Sequence, residues 1–473
     1  MSRVVVVSNR VADLRKTTQS GGLAVAVADA LKAKGGVWFG WDGNTLEDES
    51  EKLGVDTIGK VDVISTPMTI EDYTQYYIGY SNSVLWPLFH YRTDLVDYRP
   101  QYFEGYMRVN GKFASLLKPF LKKDDLVWVH DYHLIPFAAR LRALGCQQRI
   151  GYFLHIPFPP PDILAASPNH MALVESMLQY DLLGFQTSAD MNNFHRCAED
   201  FFPDAVGEDG EITYKGRKVR LLRLPIGIDV DAFIEMARSG VEEVSIDRMR
   251  RAILGQHQVI GVDRLDYSKG IPERFEAFSR MLHLHPELEK TVSFLQIAPP
   301  TREDVTAYSE IREKLEGLAG SINGKFADFD WTPIRYIHRP IPRPILAAMF
   351  RASQVGLVTP LRDGMNLVAK EYVAAQDPED PGVLILSSFA GAAEELHEAL
   401  IVNPHDTDEM AQQMYHALNM PLEERRQRHE KLLERVRESE AGTWMQNFLD
   451  VLEEEDAPQD AAGPVADAST IRG

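Results

Sequence analysis

Two basic residues five positions apart, Arg264 and Lys269, stand in the stretch VDRLDYSKG. A guanidinium forks onto two phosphate oxygens and an ammonium acts beside it as a point charge, so this pair suits a diphosphate. A second charged stretch, RDGMNLVAKE, runs from Arg362 to Glu371 and opens a helix-like segment. The unpaired N–H groups of such an opening, with the helix dipole, form a phosphate site at about Met365 to Val368. Glu371 lies one turn beyond Leu367 on the same face, about 6 Å along the axis and within reach of ribose hydroxyls. Asp363 then stands where it could touch a transferred sugar. A capped structural helix would account for Arg362 and Asp363 equally well.

HDYH (His130 to His133), with His155 in HIPFPP, offers His and Asp in the types that bind zinc or iron. No second carboxylate cluster accompanies them, and histidines at strand ends serve more often as hydrogen bonders. A sugar reader needs no further ligands: Asp131 accepts from hydroxyls and His155 donates to one. YYIGYSNSVLWPLFHYR (Tyr76 to Arg92) reads equally as core or as a sugar-facing wall of apolar bodies with polar tips. A fourth polar loop joins SNR at Ser8 to Arg10 with SGG at Ser20 to Gly22. GSINGKF fails as a phosphate loop, because no glycine sits five positions before Gly324 and Phe326 replaces the needed hydroxyl. The G-x-S-x-G nucleophile elbow of α/β-hydrolases is absent.

These loops need strands to hold them. VVVVS, LVWVH, RIGYFLH and DLLGF, then VIGVD, TVSFLQIA, VGLVTP and VLILS, are apolar throughout, the pattern of parallel strands buried on both faces. Helix-like segments separate them, which predicts two doubly wound α/β domains with a break near Leu224 to Asp229. Ligands of such sheets sit at the carboxyl ends of strands, where all four polar loops fall, so the cleft between the domains is the expected site. The length of 473 residues, with 44% hydrophobic and 25% charged content, accommodates two to three domains. A net charge of −20 argues against nucleic acid or an anionic membrane as partner. Cys146 and Cys197 provide no disulfide framework or zinc knuckle, and no stretch is apolar enough for a signal peptide or a membrane span. A cytoplasmic location is expected. The biased segment 456–473, rich in Ala, Asp, Pro and Gly, reads as a disordered tail.

Taken in order, VVVSNR, SGGLA, VLWPLFHYR, VWVHDYHL, GYFLHIPFP, LPIGID, VDRLDYSKGIPERF, QIAPPTRED and TPLRDGMNLVAKEYVAAQ resemble the trehalose-6-phosphate synthase family. These are retaining glycosyltransferases of the GT-B fold, two Rossmann-like domains facing a central cleft. The resemblance implies an acceptor domain at 1–225, joined by a C-terminal helix near 443–455, and a nucleotide-sugar domain at 226–442. It implies transfer of glucose from UDP-glucose to glucose 6-phosphate, with small-molecule substrates, no cofactor and no metal, and it leaves a homo-oligomer open. Asp131, His155, Arg264, Lys269 and Asp363 then belong to the reacting centre. Arg10, Tyr77, Trp86, Asp131 and Arg302 match the acceptor residues, and Trp86 and His155 match positions that shape α-selectivity. Gly21, Gly22, Arg264, Lys269, Ile341, Asp363, Gly364, Met365, Asn366, Leu367, Val368, Ala369, Lys370 and Glu371 match the donor site, with the backbone near Ile341 against the base. A retaining glycosidase would need two carboxylates about 5 Å apart; the family's front-face chemistry, in which the leaving diphosphate takes the acceptor's proton, needs none. A glucosylglycerol-phosphate synthase or pseudo-glycosyltransferase with another acceptor is the neighbouring reading. A silent nucleotide-sugar sensor and a metalloenzyme are the readings from other classes.

Overall fold

The computed structural model describes residues 2–12, 14, 31, 35–48, 53–240, 256–302 and 305–454. The apolar runs form strands of two sheets. Nine strands make the first: β1 (Val4–Arg10), β2 (Gly36–Leu46), β3 (Gly54–Ile58), β4 (Val61–Thr69), β5 (Leu126–His130), β6 (Arg149–Phe153), β7 (Leu182–Phe185), β8 (Ile212–Tyr214) and β9 (Arg217–Arg223). Their order is β3-β4-β2-β1-β5-β6-β7-β9-β8. β3 on β4 and β8 on β9 are antiparallel pairs at the two edges, and the pairs between them are parallel. The second sheet holds β10 (His257–Val262), β11 (Val292–Ile297), β12 (Ile334–Ile337), β13 (Val355–Val358), β14 (Val383–Ser387) and β15 (Leu400–Val402). It is parallel, in the order β12-β11-β10-β13-β14-β15.

The doubly wound architecture expected from the sequence is therefore present twice. In each sheet the chain winds outward from a central strand and then reverses, at β1 and β5 in one and at β10 and β13 in the other. A crevice opens at the carboxyl ends of such a strand pair. Most strands that were not legible are less apolar, and β15, LIV, is apolar but only three residues long. β9 reads RKVRLLR, β3 is an exposed edge, and β2 carries three glycines.

Four helices matter for the site: α1 (Ile271–Leu284), α2 (Thr306–Phe326), α3 (Leu367–Ala375) and α4 (Ala441–Glu453). α1 shows how helical spacing buries a face. Ile271, Phe275, Phe278 and Leu282 recur every three or four residues, and all are buried in the core of the second sheet with Val259 and Phe294. α4 crosses back to the first sheet, where the Phe448 ring stacks on Trp128 at 4.8 Å and Trp444 lies 4.9 Å from it. The Trp444 indole N–H donates to the Leu224 carbonyl at 3.2 Å, which fixes α4 against the first crossing between the halves. At that crossing a Cβ on Gly227 would lie 1.3 Å from the Ser439 carbonyl oxygen, so the outgoing and returning chains touch backbone to backbone. No helix among the described residues is long and apolar enough to cross a membrane. Segment 456–473 lies outside the described residues.

Candidate active site

The two switch points face each other across one cleft. Their nearest approach is at Gly364, where a Cβ would lie 2.2 Å from the His155 carbonyl oxygen. Only glycine allows the loop after β13 to come so close to the loop after β6.

The first wall is built on β1, β5, β6 and an unusual helix. Tyr73–Leu85 is wound as a π-helix, and the side chains of Asn82 and Ser83 donate to carbonyls five residues back, Tyr77 and Ile78, each at 2.8 Å. Such wider turns cluster at functional sites. This one carries the first part of Tyr76 to Arg92. Tyr76, Tyr80, Leu88 and Phe89 are core, whereas Tyr77 is only half-buried and stacks its ring on His133 at 5.8 Å, the planes 10° apart. Trp86 follows at the end of the π-helix and is buried against Tyr132 and His90. Arg10, exposed at the end of β1, holds its guanidinium carbon 5.6 Å from the Trp41 ring centroid.

Asp131 leaves β5 with φ 74°, its N–H donating to the Phe153 carbonyl at 2.8 Å. Burial pushes its carboxyl up to about 6, against the pull of the Tyr132 and His155 N–H groups and of Arg302 and Arg264. His155 is neutral, burial having lowered its imidazole to about 3. Its tautomer follows from its neighbours. The Gln186 amide oxygen accepts from the Ile226 N–H at 2.9 Å, which turns the amide NH2 toward His155 Nδ1 at 3.4 Å. His155 Nε2 then carries the proton and meets His130 Nδ1 at 3.1 Å. Both ring nitrogens are thus engaged by the protein, and the imidazole reaches a sugar hydroxyl only by exchanging one of them.

The second wall is charged. After β10, Asp266 caps the turn Tyr267–Lys269 by accepting from the Ser268 N–H at 2.9 Å. The turn buries Lys269, whose ammonium pairs with Asp363. Arg264 is exposed, its guanidinium carbon 5.7 Å from the Trp86 ring centroid. α3 opens at Asn366, held at φ 70° without a side-chain cap. Among the described residues, no protein acceptor meets the N–H groups of Gly364 to Val368, so the opening is bare as the sequence reading requires. Glu371, one turn inside, accepts from Arg343 at 3.1 Å, and burial raises its carboxyl despite that cation. Met365 and Ala369 are buried, while Leu367 and Val368 are half-buried at the start of the helix. Ile341 is half-buried in the loop between β12 and the helix Arg343–Arg351.

Two of the expected residues have their side chains engaged by the protein. The Lys370 side chain is fully buried and turned away from the helix start, its ammonium on Glu395 at 2.7 Å and on the Ile226 carbonyl and Ser439 hydroxyl at 2.9 Å each. Arg302, with φ 49°, has its guanidinium packed 3.8 Å over the Trp86 ring and donating to the hydroxyls of Tyr308 at 2.6 Å and Tyr132 at 2.9 Å. Gly21 and Gly22 lie outside the described residues.

Sequence reasoning passed over the acids that organise this wall. Asp263 forms a buried ion pair with Arg274 at 2.6 Å, and Asp266 is fully buried. Both stand in VDRLDYSKG, and the signal available was the alternation of acid and base within one loop after an apolar strand. Among the described residues no three His, Cys, Asp or Glu side chains gather so as to hold a metal ion.

The model of glycosyltransferase family 20 matches residues 3–454. A trehalose-6-phosphate synthase of Cronobacter sakazakii is 48% identical over 450 residues, covering 95% of this chain and 94% of that protein. The crystal structure of an α,α-trehalose-phosphate synthase (UDP-forming) from Burkholderia vietnamiensis superposes with a TM-score of 0.93 at 51% identity, covering 96% of this chain and 98% of that one. The corresponding enzyme from Burkholderia xenovorans, in complex with glucose 6-phosphate, gives a TM-score of 0.91 at 50% identity, covering 96% and 100%.

Proposed function

The chain belongs to glycosyltransferase family 20, and from that premise we propose that it transfers glucose from UDP-glucose to glucose 6-phosphate, with retention, giving α,α-trehalose 6-phosphate and UDP. The observation that carries the reading is the pairing of two unlike walls at one cleft: hydroxyl readers and aromatic rings on the first sheet, cations and a bare helix start on the second.

In this reading Lys269 and Arg264 take the diphosphate, helped by the N–H groups at the start of α3, and Glu371 reads the ribose. The backbone near Ile341 lies against the base, and Gly21 and Gly22 let the first loop approach the donor. Asp363, drawn to Lys269, faces the transferred glucose. Asp131 and Tyr77 hold the acceptor sugar, and Arg10 and Arg302 its phosphate. Trp86 and His155 shape the side from which the acceptor arrives. The departing diphosphate takes the acceptor proton, so the protein contributes alignment and charge stabilisation. Buried free thiols at Cys146 and Cys197 suit a reducing compartment, and we place the enzyme in the cytoplasm.

The test is a panel of donors and acceptors on the purified protein. UDP release should require UDP-glucose and glucose 6-phosphate together, with an α,α-linked product by NMR. No release with that pair, and release with glycerol 3-phosphate instead, would replace the acceptor in this assignment.

A further inference from the structure

Asp266 is fully buried between the walls, and its two oxygens do different things. Oδ1 accepts from the Ser268 N–H and hydroxyl, each at 2.9 Å, and from the Trp86 indole N–H at 3.4 Å. Oδ2 accepts from the Tyr308 hydroxyl at 2.9 Å and from Arg302 Nη1 at 3.5 Å. The Tyr308 hydroxyl is also the acceptor for Arg302 Nη1 at 2.6 Å, so the guanidinium is tied to Asp266 both directly and through one hydroxyl. Burial opposes the charge of Asp266, but Arg302, Lys269 and Arg264 outweigh it and hold its carboxyl below the usual range.

We propose that Asp266 is a positioning residue for acceptor recognition: through Oδ2 it fixes Arg302 over the Trp86 ring, while through Oδ1 it holds the turn that carries Lys269. The inference rests on the assignment of Arg302 to the acceptor phosphate and of Lys269 to the donor diphosphate. One carboxylate then sets the distance between the two phosphate-binding cations without touching either substrate. Buried charge-assisted hydrogen bonds suit that task, since they are directional and costly to leave unmade.

The division of labour makes the test selective. Asp266→Asn keeps an oxygen for Ser268 and Trp86 and places an NH2 group where Arg302 and Tyr308 need an acceptor. The KM for glucose 6-phosphate should rise about tenfold. The KM for UDP-glucose and the Kd of UDP by calorimetry should stay within about twofold, because the oxygen that holds the Lys269 turn is retained. Tyr308→Phe removes the relay hydroxyl alone and should move the same KM in the same direction by less; it also serves if the asparagine variant does not fold. Equal rises in both KM values, or no rise in either, would overturn the proposal. Arg302→Lys separates it from its premise. If that variant raises the glucose 6-phosphate KM and Asp266→Asn does not, Asp266 has no positioning role and the acceptor assignment stands; if neither raises it, both fail.

Discussion

On the first wall Tyr77, His133, Tyr132 and Trp86 lie ring against ring, and burial keeps the His133 imidazole neutral. Across the cleft Lys269, Arg274, Arg343 and Lys370 each sit on a carboxylate. The same doubly wound scaffold thus holds its ligand groups in two ways. A ring contact or hydroxyl removed from the first wall leaves no charge behind. A buried ion pair, losing one partner, strands the other charge in a poor solvent. The wall whose cations are paired with buried carboxylates is therefore the more sensitive to single substitutions.

The strongest test of that contrast is Arg274→Met, which leaves Asp263 buried and unpaired behind the helix start. It should cost about 3–5 kcal/mol in urea unfolding, and Asp263→Asn in the same chain should restore part of it. A loss no greater than that from removing the Tyr77 hydroxyl of the first wall would break the comparison. Lys269→Ala comes next, and here the loss should fall on turnover, about 100-fold to 1,000-fold, because the cation meets the charge of the departing diphosphate. If turnover stays within about threefold of the parent, Lys269 has been given the wrong role.

Asp131 is the first wall's own exception, a carboxyl raised to about 6 by burial. Its folded value lies above the unfolded value of about 3.9, so the native state holds the proton more tightly. Its contribution is fully favourable below pH about 4 and is lost as pH rises through about 6. Asp131→Asn should therefore match the parent near pH 4 and exceed it in stability at pH 8 by about 1–3 kcal/mol, while losing activity. Thermal melts across pH decide this, and a variant less stable at pH 8 would contradict the assigned cause. The smallest effect is expected of Tyr77→Phe, which keeps the stack on His133 and removes one hydroxyl. The KM for glucose 6-phosphate should rise about fivefold, with stability within about 0.5 kcal/mol of the parent; an unchanged KM would make Tyr77 a packing residue.

What the sequence made legible was whatever has a local cause. Strands buried on both faces are apolar throughout, so LVWVH and VLILS declare themselves, and the loops after them follow. The bare start of α3 was legible because glycine and asparagine precede an unbroken helical run. Contacts between distant segments leave no such mark. Lys370 reads as part of the ligand helix, and only the folded chain reveals that Ile226 and Ser439 draw its ammonium away. Arg302 matches an acceptor residue, and only the folded chain reveals that Trp86 and Tyr132 from the opposite sheet enclose its guanidinium. The π-helix was invisible because its cause is the wider turn that Asn82 and Ser83 secure, and neither residue type announces that winding.

The return of α4 to the first sheet has a consequence for synthesis. Trp128 and Gly151 pack on Trp444 and Phe448, residues that the ribosome adds roughly 300 positions later, some 15–60 s at ordinary elongation rates. Until then the nascent first half presents an apolar strip along β5 and β6 that its own neighbours in sequence do not cover. The chain emerges with its earlier domain unfinished until α4 returns to it.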